Sequence, residues 1–124
     1  MILLLKVNVK KLQSELEKIR DENGLLGNIL SSEEGLVILD TLQSEVYDST
    51  VISAMAASLI TEDHLGFSSP KEIILSYDGE KIVINKFNIP KKDIDLLLIS
   101  IIPQKLRYFK RCLNKSIKVV TKNF

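Results

Sequence analysis

The sequence predicts an α+β fold: a single-layer, five-stranded antiparallel sheet with helices on both faces, in the order α-β-β-α-β-β-β-α. Three observations carry that prediction. Apolar residues switch between helical spacing and short strand-like runs in that order along the chain. The strand-like runs are joined mainly by short turns, which connect antiparallel neighbours but not parallel ones. The helical stretches lie at both ends and in the middle, where they can cover both faces of one sheet. With 124 residues, 45% hydrophobic and 27% charged, the chain reads as one domain, 1–124, large enough to bury a core.

Each element has a local reason. Val9, Leu12, Leu16 and Ile19 recur at helical spacing, and Asn23-Gly24 supplies residues that tolerate the left-handed conformation closing a helix. Leu25 to Ser31 and Leu36 to Leu42 follow as two apolar segments around Ser32-Glu33-Glu34-Gly35, a hairpin loop by composition. Asp48 or Ser49 can cap the second helix, which is expected to end near Gly66. The runs Glu72 to Tyr77 and Lys81 to Phe87 flank Asp78-Gly79, the strongest short hairpin signal in the chain. Asn88 to Lys92 with Pro90 makes a turn, and Asp93 to Ile102 reads as the fifth strand. Pro103 stops it, and helical spacing resumes through Leu106, Phe109, Leu113, Ile117 and Val120.

The central helix carries no chemistry on either side. On a helical wheel Ile52, Met55, Ala56 and Leu59 form an expected core face, while Ala54, Ala57, Ser58 and Thr61 gather on another side. An ordinary solvated face would carry Lys, Glu or Arg. A small, nearly flat face instead lets another helix or protein approach closely, so it suggests contact rather than catalysis.

Catalytic, cofactor and metal sites find no support. His64 is the only imidazole and Cys112 the only thiol, on different expected helices. Glu33 and Glu34 are adjacent in a turn and point apart. Gly24 and Gly27 form GLLG, which matches neither GxGxxG nor GxxxxGK[ST], and one His with one Cys cannot build a closed zinc site. No nucleotide, cofactor or metal is therefore expected, and the chain is not read as an enzyme. The lone cysteine excludes an internal disulfide and suits a reducing, cytoplasmic compartment. The apolar leader Met1 to Leu5, followed by Lys6, is far short of the roughly 20 residues that span a bilayer.

Charge is segregated although the net value is only +1. Acids dominate from Glu15 to Asp63. From Lys105 onward come Lys105, Arg107, Lys110, Arg111, Lys115, Lys118 and Lys122, with no acid. Such a tail is either a nucleic-acid footprint or the solvated side of a terminal helix, and no RNP-like aromatic motif or zinc spacing accompanies it.

The stretches GLLGNILSSEEGLVILDTL, STVISAMAASLI, KEIILSYDGEKIVINKF and IDLLLISII together resemble the Roadblock family, which includes dynein light chains of the Roadblock type and MglB-type regulators of small GTPases. The likeness covers nearly the whole chain from Leu12, and none of its motifs is a catalytic signature. It departs at Pro103-Gln104-Lys105, where the family often has a Gly-containing loop, and in the apolar leader. The resemblance implies a central helix on one sheet face and the terminal helices on the other. It also implies dimerisation through the third strand and central helix, and binding of a small Ras-like GTPase on the paired central helices. The expected function is thus a non-enzymatic homodimeric adaptor or regulator, whose partner is such a GTPase or another Roadblock-like chain.

On that reading Ala54, Ala57, Ser58 and Thr61 are the partner-binding candidates. Val51, Met55, Glu72, Ile73, Ile74, Leu75 and Tyr77 are the dimer-interface candidates. An independent argument favours the dimer: EIILSY left at a sheet edge would expose unpaired backbone groups beside apolar side chains, a hazard that a two-fold axis removes. The alternatives are a small-molecule-sensing module, or a nucleic-acid-binding module using the basic C-terminal helix.

Overall fold

A computed structural model describes residues 8–61 and 65–124. The eight elements appear in the expected order: α1 (Val9–Asn23), β1 (Gly27–Ser32), β2 (Val37–Asp40), α2 (Ser49–Thr61), β3 (Glu72–Ser76), β4 (Glu80–Ile89), β5 (Ile94–Pro103) and α3 (Lys110–Asn123). The strands form one sheet in the order β2-β1-β5-β4-β3, and every pairing is antiparallel. The apolar leader and His64 lie outside the described residues.

Local chemistry sets the boundaries. Asn8 accepts the Lys11 N–H at the start of α1. At its end Gly24 takes φ 71° and its N–H reaches the Arg20 carbonyl, a left-handed closure that costs a Cβ-free residue least. For α2 the cap is Asp48: its carboxylate accepts the N–H groups of Thr50 and Val51 at 3.0 and 3.3 Å. The β4–β5 turn is tighter than expected. β4 runs on to Ile89 and β5 starts at Ile94, with Lys92 N–H on the Ile89 carbonyl. Helical spacing resumes at Leu106, yet α3 begins only at Lys110. Leu106 instead donates to the Pro103 carbonyl in a turn while its side chain packs on the core.

Strand alternation divides the interior in two. Leu97, Ile99 and Ile101 of β5 face α2 together with Ile29, Ile82 and Ile84. Leu96 and Ile102 face α1 and α3, where Leu12, Leu16, Leu30 and Val120 pack at one end and Ile19, Val83, Cys112 and Leu113 at the other. The two helices share one face, antiparallel, with Asn123 donating to Glu15. β5 is the spine, since five of its residues from Leu97 to Ile102 are fully buried apolar side chains. One polar feature stands out between sheet and helices. Asn28 and Ser100 are opposite each other in register, and the side-chain polar atoms of both are buried without a hydrogen-bond partner.

Candidate partner-binding surface

Among the described residues α2 is the one helix on its sheet face, and the rotation of this helix decides which residues are free. Ser53, Ala56, Ala57 and Ile60 are buried. Ile52, Met55 and Leu59, expected in the core, are only half-buried, so the helix is turned by about one residue from the expected wheel. The window is apolar nearly all round, and its sequence pattern therefore constrains the rotation weakly.

The β1–β2 turn supplies the missing constraint. Ser53 Oγ donates to the Gly35 carbonyl at 2.6 Å, which anchors the turn against the helix. Gly35 takes φ 92°, and a Cβ there would lie 3.1 Å from the Ala57 Cβ and 3.2 Å from the Ala54 Cα. Part of the small-residue face is thus consumed inside the chain. Ala57, expected to face outward for a partner, is 6% exposed, which corrects that expectation. Its small size makes room for a turn of the same chain. Neither Ser53 nor Ile60 was singled out from sequence. Ile60 could have been found at helical spacing from Ala56 and Ala57, whereas nothing local announces the Ser53–Gly35 bond.

What remains outside is a row with no charge on it. Val51, Ala54, Ser58 and Thr61 are exposed along one side of α2, and the whole helix carries neither acid nor base. Thr61 turns its hydroxyl inward to the Ala57 carbonyl at 2.6 Å, which lowers the polarity of the row further. Leu36, next to the Gly35 contact, is 54% exposed and Val51 is 62% exposed.

The opposite flank of α2 is apolar as well. There Ile52 and Leu59 pack only partly buried against the main cluster, as do Ile73 and Leu75 of β3. β3 is an outer strand, with β4 on one side and no described strand on the other. Glu72, Ile74, Ser76 and Tyr77 are exposed, and Ile73 and Leu75 half-buried. Its register fixes which backbone groups are unpaired. Tyr77 N–H bonds the Glu80 carbonyl and Lys86 N–H the Lys71 carbonyl, so the odd-numbered residues Ile73 and Leu75 bond to β4. The N–H and C=O groups of Glu72, Ile74 and Ser76 therefore point away from the sheet.

Burial pushes the Cys112 thiol above its usual value, which suits a packing residue. Burial, and then the Glu80 carboxylate that Tyr47 Oη approaches at 3.4 Å, raise the Tyr47 phenol. Among the described residues no group of three or more His, Cys, Asp or Glu could hold a metal, and no helix is long and apolar enough to cross a membrane.

No protein-family model and no curated protein matches this sequence. Solved structures do match. Myxococcus xanthus MglB superposes with a TM-score of 0.76 at 11% identity, over 93% of this chain and 88% of that one. A Roadblock/LC7 domain from Streptomyces avermitilis gives a TM-score of 0.55 at 13% identity, over 79% and 80% of the two chains. The fold is Roadblock-like. A chain of the LokiProfilin2/rabbit actin complex also aligns, with a TM-score of 0.56 at 14% identity over 92% of this chain and 93% of that one, so the Roadblock-like architecture alone does not specify a partner. The placement of helices that the sequence resemblance implied, α2 on one face and α1 with α3 on the other, is the one observed.

Proposed function

We propose that this chain is a non-enzymatic, homodimeric adaptor or regulator of a small Ras-like GTPase, built on the Roadblock-like fold. The observation that carries the reading is the charge-free row Val51, Ala54, Ser58 and Thr61 on α2, beside an open, apolar sheet edge. Two copies pairing through β3 would extend the sheet across a two-fold axis and bring the half-covered flanks Ile52, Met55 and Leu59 together. The paired helices would then form one platform. A regulator of this kind needs no reacting group, because phosphoryl transfer depends on positioning and electrostatics that the partner's own residues can supply once ordered. The reading also draws on the sequence resemblance to MglB-type regulators and on the likeness of fold to MglB.

The test compares two neighbouring alanines. Ala54→Arg lies on the exposed row and is expected to change stability by no more than about 0.5 kcal/mol while abolishing capture of the GTPase from a lysate of the source cell. Ala57→Arg forces a long charged chain into the Gly35 contact and is expected to cost about 3 kcal/mol or more. Thermal melts check both, and mass spectrometry of the captured proteins identifies the partner. Full GTPase capture by a folded Ala54→Arg protein would refute the platform, and GTP hydrolysis by the purified chain alone would refute the adaptor.

A further inference from the structure

The α2 platform leaves the basic α3 without a role. Its inward side, with Cys112, Leu113 and Val120, packs on α1 and the sheet. On the outward side, every exposed residue between Lys105 and Lys122 is a base except Tyr108 and Asn114. Arg111, Lys115, Lys118 and Lys122 follow at spacings of four, three and four, which places them in one row along the helix. At the α-helical rise that row is about 17 Å long.

The row is not neutralised from within the chain. Its four residues have no ion pair among the described residues, whereas Lys110, on the rim, lies 3.9 Å from Glu72. The line of α1 that contains Glu15, the acceptor of Asn123, is Lys11, Glu15, Lys18 and Glu22, two bases and two acids. Like charges three or four residues apart destabilise a helix, so an unpaired row of four costs the isolated chain stability that a polyanion would restore.

We propose that this face of α3 docks on the phosphate backbone of a duplex nucleic acid. One strand carries a phosphate about every 3.4 Å of helix axis, so the row spans about five phosphates and meets them with four cations. Such contacts position a protein on a duplex without reading its sequence. A bilayer fits the face less well. An interfacial helix needs an apolar side turned to the lipid, and the aliphatic side chains of α3 are all buried or half-buried in the protein. A single strand binds on successive aromatic rings, and this region offers Tyr108 alone, 93% exposed. The face lies across the sheet from α2, so the proposal does not depend on what binds there.

Fluorescence anisotropy of the full chain with a labelled duplex DNA of about two helical turns tests it. Binding is expected with a Kd of about 10⁻⁴–10⁻⁶ M at physiological salt, and four phosphate contacts give a slope of log K against log salt of about −3.6. Lys118→Gln/Lys122→Gln is expected to bring the slope to about −1.8 and to lower affinity at low salt by about tenfold or more. Lys71→Gln removes an exposed base outside the row and is expected to leave the slope unchanged. Circular dichroism checks that the variants fold. No binding at low salt, a slope that the double variant does not change, or an equal loss from Lys71→Gln would each overturn the proposal. So would tighter binding to phosphatidylserine vesicles, to a single strand of the same length or to poly-glutamate.

Discussion

The two margins of the sheet solve the same problem in opposite ways. At the β2 edge the strand has four residues, its pairing with β1 is irregular between Leu30 and Ser31, and α1 reaches over it. Gln13 Nε2 donates to the Asp40 carbonyl at 3.3 Å, and Arg20 Nη1 to the Thr41 carbonyl at 2.6 Å. Two backbone carbonyls at that edge are therefore occupied by side chains of the same molecule. At the β3 edge the strand is regular, rich in apolar residues, and turns its even-numbered backbone groups outward. Gln104 holds its end, through Ser76 Oγ at 2.7 Å and the Tyr77 carbonyl, and Lys110 stands 3.9 Å from Glu72. A short, bulged and covered margin resists strand addition, whereas a flat and open one invites it. The asymmetry gives the dimer proposal a specific edge.

Proline substitutions on β3 should break this comparison most severely, and they should do so differently at adjacent positions. Leu75→Pro deletes an N–H that bonds β4 and is expected to detach the strand, with loss of the cooperative melt. Ile74→Pro deletes an outward N–H, so it is expected to leave a folded monomer where the proposed function expects the parent chain to be a dimer. Light scattering and thermal melts distinguish the two. Equal damage from both would mean that the outward groups of β3 do not pair with a second copy.

A smaller effect tests the closed margin. Arg20→Ala removes a charged donor from the Thr41 carbonyl, and the Arg20 side chain is only 11% exposed, so a cost of about 1.5–3 kcal/mol is expected by denaturant titration. The smallest change sharpens the contrast. Gln104→Ala removes an exposed polar contact from the open margin and is expected to cost about 0.5 kcal/mol or less. A loss from Gln104→Ala as large as that from Arg20→Ala would mean that the β3 edge, too, is held closed from within the chain.

Much of this organisation was legible in the residues. The Asn-Gly stop of α1, the Asp-Gly hairpin and the buried run of β5 each lie where local chemistry placed them, because capping, turn formation and period-two alternation act over a few neighbouring residues. The exposed strand Glu72–Ser76 was legible as a problem, since its composition needs cover whatever the topology. The candidate site on α2 was only partly legible. Ala54, Ser58 and Thr61 face outward as the wheel suggested, and Ala57 does not.

The difference between those cases is one of range. Sequence alone determined the type and order of the elements, the absence of charge along α2 and the basic composition of α3, all of which are properties of contiguous residues. Tertiary structure decided the rotation of α2, because a helix apolar on most sides takes its orientation from what it meets, here the Gly35 carbonyl bound by Ser53 eighteen residues away. It also decided which sheet margin stays open. That outcome depends on Arg20 and Gln13 reaching β2 from a helix far along the chain, and on the pairing parity that turns Glu72, Ile74 and Ser76 outward.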